Sequence, residues 1–148
     1  MKIAFDEHIA PPIVVVFKAL AEQGFVRGYG FVSARDYHAS IDPKNDDRPW
    51  LQRFKDDGGR VVITGDRKMR GRVHERRALK ENGFTVMFLG RPWDEMERYG
   101  RAAILIRWWP VVEKHLPTVP PATFWEIPCT WKLEDVIDVT GPSVDLYQ

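Results

Sequence analysis

At 148 residues the chain is long enough for one domain with a proper core and too short for two. An apolar content of 44% with six Trp and eight Phe excludes a disordered tail, and 22 Lys+Arg against 21 Asp+Glu leave overall charge silent about a partner. The lone cysteine, Cys129, excludes an internal disulfide and a Cys-rich zinc site and suits a reducing compartment.

The opening MKIAFDEHIA places Asp6 and Glu7 where a signal peptide needs an apolar core, and no aliphatic run approaches membrane-spanning length. A soluble, cytoplasmic protein with no membrane partner is expected. Lys2–Phe5 reads as a short buried strand ending at Asp6. Pro11 and Pro12 suit the first turn of a helix, where a missing N–H costs little. Ile13, Val16, Phe17 and Leu20 then follow at helical spacing, and Gly24 suits the cap. Residues 25–34 predict a second strand, and the polar residues 35–47, with Pro43, a loop. A helix from Arg48-Pro49, with Trp50, Leu51 and Phe54 inward, closes at Gly58-Gly59. Residues 60–64 form the next strand, 73–82 a helix capped by Gly83, and 84–89 another strand. Strands alternating with helices predict a mostly parallel sheet covered on both faces. From Trp93 to about His115 the pattern is helical, with a kink expected at Pro110. TFWEIPCTW (residues 123–131) suits an edge strand because Pro128 cannot donate to a ladder, and the last ten or so residues suit a surface tail.

The chemistry gathers at strand ends. In VVITGDRKM (residues 61–69) three β-branched residues run into Thr64, Gly65 and one carboxylate, Asp66, just as the first strand runs into Asp6. In a parallel sheet the carboxyl ends of strands share one edge, where ligands bind. If the first and third strands are neighbours, Asp6 and Asp66 converge, and an acid at the start of the intervening helix, Asp46 or Asp47, can join them. Carboxylates so close repel unless one is protonated or a cation lies between them. With no Cys or His cluster, oxygen ligation favours Mg2+ or Mn2+, suited to activating water against a phosphate. The local alternative is that each Asp simply caps a turn or helix.

These residues resemble the small PIN-like nucleases. MKIAFDEHI resembles the strand-Asp-Glu opening of that family and VVITGDRKM its strand ending in Thr-x-Asp. Asp47-Arg-Pro-Trp50-Leu51 followed by Gly58-Gly59 is similar to the helix leading into that strand. His74-Glu-Arg-Arg-Ala-Leu79, Gly83-Phe-Thr-Val-Met-Phe-Leu89 and Trp108-Trp109-Pro110 resemble its branch related to VapC-type toxins. The resemblance covers roughly residues 1–115, which would be the core of a single domain over 1–148, with 116–148 a helix and strand extension. It implies a three-layer α/β/α sandwich, a magnesium- or manganese-bound carboxylate cluster, and an endoribonuclease that leaves 5′-phosphate and 3′-hydroxyl ends. It also implies the toxin half of a toxin–antitoxin pair, with an antitoxin protein as partner and a homodimer as the other pairing considered. Carried over, Asp6, Asp47 and Asp66 are the metal-binding and catalytic acids. Asp47 is preferred to Asp46 because Asp-x-x-Trp fits the family spacing. The chain lacks the family's glutamate in the early helical region, which leaves Glu7 or Glu75 as the fourth acid.

Arg67–Arg77 (RKMRGRVHERR) holds six Lys or Arg residues in eleven positions, so Arg67, Lys68, Arg70 and Arg72 are candidate RNA-phosphate contacts, with a solvated helix face as the plain alternative. His74 lacks the second histidine of a zinc-protease motif, Ala78 standing there instead. His8 is the weaker histidine candidate, and Cys129 reads as packing. Trp93, Trp108, Trp109 and Trp125 read as core or interface aromatics before base-stacking ones. The aromatics between Trp108 and Trp131 exceed what a small core needs, which predicts a paired surface. Two rivals to a nuclease are a non-catalytic protein of the same fold, with its acids serving as caps, and, ranked last, a receiver-like regulator, which needs a late strand-end Lys that the chain lacks.

Overall fold

The computed structural model describes residues 1–40 and 48–141. Six strands form one sheet: β1 (Lys2–Phe5), β2 (Gly30–Ser33), β3 (Gly59–Thr64), β4 (Thr85–Leu89), β5 (Phe124–Ile127) and β6 (Ile137–Asp138), in the spatial order β2-β1-β3-β4-β5-β6. All neighbours are parallel except β5 and β6. The helices are α1 (Pro11–Glu22), α2 (Arg48–Asp56), α3 (Val73–Glu81), α4 (Arg91–Glu95) and α5 (Arg98–His115), with 3₁₀ segments at Ala34–Ser40 and Arg67–Arg70.

Alternation along the strands explains the layers. Ile3, Phe5, Val61, Ile63, Met87, Leu89 and Ile127 face α1 and α5, whereas Ala4, Val62, Val86, Phe88 and Phe124 face α2 and α3. Successive strand residues point to opposite faces, so a run such as Val61-Val62-Ile63 serves both cores at once. This is the expected α/β/α sandwich. On the first face Trp109 lies with Phe5, Phe17 and Phe31, its ring centroid 4.7 Å from that of Phe17. On the second, Phe54 stacks on Phe84 at 5.7 Å.

Several elements differ from expectation for local reasons. The inward stripe of α1 is Ile13, Val14 and Phe17, and Val16 is exposed instead. Strand β2 begins only at Gly30, because after Gly24 the chain folds back on α1, with Phe25 N–H and Val26 N–H donating to Leu20 O and Phe25 left exposed. Residues 34–40 are 3₁₀-helical rather than loop.

The long helical region breaks at Met96-Glu97 and not at Pro110. The Glu97 carboxylate caps α5 by accepting from Tyr99 N at 2.8 Å and Gly100 N at 2.7 Å, while α5 runs unbroken through an exposed Pro110. Strand β5 lies inside the sheet, because Pro128 falls just past its last residue, Ile127, and deprives no ladder of a donor. Beyond β6 the chain is still held, with Val139 N donating to Phe124 O at 2.7 Å. Trp108 and Trp109 are fully buried, so they belong to the core and not to a pairing surface, whereas Trp131 is exposed. Among the described residues no helix is long and apolar enough to cross a membrane.

Candidate functional site

Helix α1 leaves β1 on one face of the sheet and α2 leads into β3 on the other, so the chain reverses direction across the sheet between β1 and its neighbours. Such a switch point opens a crevice at the carboxyl ends of the strands. Parallel pairing sets Phe5 beside Ile63 and Ala4 beside Val62, and the residues that follow, Asp6 and Asp66, emerge at that crevice.

Asp6 is 1% exposed. A carboxylate so buried must be matched by donors. Its Oδ1 accepts from His8 N at 3.1 Å, and its Oδ2 faces His8 Nδ1 at 3.2 Å and accepts from the Thr64 hydroxyl. The Thr64 oxygen in turn accepts from Asp66 N at 2.9 Å. One hydroxyl therefore ties the Asp6 side chain to the Asp66 main chain.

Asp66 caps the 3₁₀ segment, its Oδ1 accepting from Lys68 N at 3.1 Å. Its Oδ2 accepts from Arg72 at 2.9 Å, and the same guanidinium nitrogen donates to Glu75 at 3.2 Å. Burial works against the charge on Arg72, yet the Asp66 and Glu75 carboxylates outweigh it and hold the guanidinium above its ordinary range. The His8 ring is raised to about 9, chiefly by its hydrogen bond to Asp6, against its partial burial and with help from the fields of Asp6, Asp66 and Glu7. At neutral pH both acids thus stand beside cations of the same chain.

Of the expected site residues, Asp6 and Asp66 share this edge, and Glu75 joins Asp66 through Arg72. Glu7 is half-buried beside them, and its carbonyl accepts from Arg35 at 3.0 Å. Asp46 and Asp47 lie outside the described residues. Among the described residues no group of three or more His, Cys, Asp or Glu is placed to hold a metal ion. The basic segment divides. Lys68 is exposed, Arg72 is engaged with acids, and the Arg67 side chain lies outside what is described. Arg70 is half-buried, and its Nε has no partner among the described residues. Arg76 braces the fold, donating to Thr140 O at 2.6 Å over the Phe124 ring. His74 is exposed.

Sequence reasoning gave too little weight to His8 and assigned nothing to Thr64. The spacing Asp6-x-His8 was the available signal, since two residues is the reach of a side chain folding back on a strand-end acid.

Beside His8 opens a cavity of about 500 Å³ lined mainly by apolar side chains, among them Ile13, Val16, Trp93, Met96 and Ala102, with Tyr99 and Arg98 at its rim. Gly65 permits this junction. A Cβ there would stand 3.2 Å from Trp93 Nε1 and 3.3 Å from His8 Cβ. No curated protein and no solved structure is matched by the chain. Residues 1–91 match the family described as "PIN like domain", a span that runs from β1 through both acids to the end of β4 and takes in more than half of the sequence. The chain belongs to the PIN-like domain family.

Proposed function

We propose that this protein is a metal-dependent endoribonuclease whose reaction centre is the Asp6–Thr64–Asp66 edge. Members of the family are commonly nucleases, and the observation that carries the reading here is the delivery of two carboxylates from rigid, adjacent strand ends to a switch-point crevice. The donor chemistry fits a hard divalent cation, because magnesium is commonly held by one or two carboxylates and otherwise by water. Asp6 and Asp66 would hold Mg2+ or Mn2+, with Asp47 a further proposed ligand and Glu75 or Glu7 a fourth acid. When bound, the cation would lower the pKa of an attacking water and offset charge on the scissile phosphate. The chain's own residues do the rest. Thr64 links the Asp6 side chain to the Asp66 main chain, His8 orients the Asp6 carboxylate, and Arg72 holds Asp66 against Glu75. Lys68, Arg67 and Arg70 follow Asp66 directly in the sequence and are proposed contacts for the RNA backbone. The products carry 5′-phosphate and 3′-hydroxyl ends.

The finer reading, a toxin of the VapC-related branch paired with an antitoxin protein, rests on the resemblance within residues 74–110. Expression with the neighbouring reading frames tests it, and a chain that co-purifies with no small partner and does not arrest growth would overturn it. One observation favours a second reading, a non-catalytic interaction protein of the same fold. Asp6 and Asp66 already have partners in His8 and Arg72, so they are satisfied without metal. Incubation of a labelled single-stranded RNA separates the two. The nuclease requires cleavage that stops with EDTA and returns with manganese, whereas cleavage unaffected by EDTA, or no cleavage at all, rejects it.

A further inference from the structure

The cavity beside His8 is a feature of the described surface that the acid edge leaves unused. Its walls come from elements on one face of the sheet. Pro12, Ile13 and Val16 belong to the first turns of α1, Trp93 to α4, Tyr99 and Ala102 to α5, and Met96 to the break between those two helices. Ligand cavities of roughly 300–1,000 Å³ with apolar walls and a few polar groups are the usual form of small-molecule subsites, and about 500 Å³ accommodates a planar heterocycle with its sugar.

Three features indicate which kind of occupant fits. First, the wall includes a ring that is largely free. Tyr99 is 71% exposed, and the Arg98 guanidinium lies 5.0 Å from its centroid, so the ring is steadied without being covered by the core. Second, the rim is basic. Arg98 and Arg101 line it against a single acid, Glu97, and that carboxylate is engaged in capping α5 through Tyr99 N and Gly100 N. Arg101 is held by the main-chain carbonyls of Trp93 and Asp94. Third, the cavity and the acid edge share a side chain. His8 lines the cavity and bonds Asp6, so an occupant is one residue away from the carboxylates.

An apolar slot with an exposed aromatic ring, a basic rim and direct access to the acids matches an unpaired base followed by its phosphate. Sequence-tolerant binding of single strands uses the same pairing of stacking and cationic contacts. A protein segment fits less well, because it brings no phosphate to this basic rim and complements its charge only if it is acidic. We propose that this cavity is a nucleobase subsite, with the base of one RNA nucleotide against Tyr99 and its phosphate toward Arg98 and Arg101. The proposal deepens the nuclease reading and rests on it for the identity of the strand, but base binding itself requires no cleavage.

The test is therefore made in EDTA. A short single-stranded RNA carrying a fluorescent adenine analogue is titrated with the full chain, following fluorescence of the analogue and anisotropy of the strand. Stacking predicts quenching on binding, with affinity about tenfold weaker in Tyr99→Ala and retained in Tyr99→Phe. Ala102→Trp, which fills the cavity from α5, should remove the quenching. Tyr99 is exposed, so its truncation leaves the core intact, and thermal melting of each variant confirms it. Equal affinity for an abasic strand, or unchanged quenching in Ala102→Trp, would overturn the subsite. So would a Tyr99→Ala effect confined to self-association or to a protein partner, which would make this a docking surface instead. The two readings fail separately. Quenching with no cleavage in manganese rejects the nuclease and keeps the subsite, while manganese-dependent cleavage with no quenching does the reverse.

Discussion

At the amino end of the sheet, helices α2 and α3 stop at Gly58 and Gly83, each with positive φ, and the chain closes there with main-chain hydrogen bonds such as Gly58 N to Lys55 O at 2.9 Å and Gly83 N to Lys80 O at 3.0 Å. At the carboxyl end the strands stop instead at Asp6, Ser33 and Thr64-Gly65-Asp66, and side chains make the closing bonds. Of the five buried polar residues among those described, Asp6, Ser33, Thr64 and Glu75 belong to this end and Thr85 to the other. A glycine turn satisfies its backbone with nothing left over. A buried carboxylate costs desolvation and is kept where its charge is useful. On the proposed reading the amino end holds the fold and the carboxyl end carries the chemistry, and substitutions at the two ends should separate stability from activity.

The largest separation is expected at the acids. Asp6→Asn and Asp66→Asn should each lower manganese-dependent RNA cleavage by at least about a hundredfold, as removal of a main electrostatic element does, while circular dichroism reports the fold retained. Asp47→Asn should leave a small residual rate, because Asp46 stands beside it. Full activity in Asp66→Asn would erase the distinction between the ends.

The converse variant is Gly59→Ala at the amino end. A Cβ there would lie 2.5 Å from the Phe54 ring, so the ring must shift, and overpacking of this kind costs about 1–3 kcal/mol. Melting temperature should fall by several degrees with activity per folded molecule unchanged. A normal melting temperature would show that the α2–β3 contact gives way more easily than the packing implies.

A smaller effect sharpens the account of the carboxyl end. Arg72 shares Asp66 with any cation, so Arg72→Met should tighten manganese binding, measured by calorimetry. The gain should be no more than about fivefold, since a half-exposed ion pair contributes up to about 1 kcal/mol. Weaker binding would mean that Arg72 positions Asp66 for the metal and does not compete with it. Least change is expected at Cys129, buried behind Gly90 with its thiol pushed up to about 12 by burial. Iodoacetamide at mildly alkaline pH should leave it unmodified until the protein is unfolded, and rapid labelling of the native protein would contradict its place in the core.

What the sequence made legible follows from local rules. Lys2–Phe5, Trp50-Leu51 with Phe54, and the glycines ending α1, α2 and α3 each declare themselves by period or by backbone freedom. The convergence of Asp6 and Asp66 needed the adjacency of β1 and β3, which the alternation of elements left open and the order β2-β1-β3 supplies. The errors came where tertiary context overruled a local signal. Pro110 sits in a helix whose packing through Trp108, Trp109 and Val112 outweighs one missing donor, and the break moved to Glu97, whose side chain supplies a cap. Phe25 and Val26 look like strand but are claimed by main-chain bonds to Leu20. The His8 and Arg72 contacts were hidden for another reason: they depend on where side chains turn after a strand ends, and no periodicity encodes that.

The Thr64 hydroxyl has a mechanical implication. It donates to the side chain of one acid and accepts from the main chain of the other, so a single oxygen joins the ends of two neighbouring strands. Displacing either strand end alone would cost one of these two hydrogen bonds. For the proposed nuclease, whose charged groups must be held in a narrow geometry, one hydroxyl would thus couple the placement of both acids.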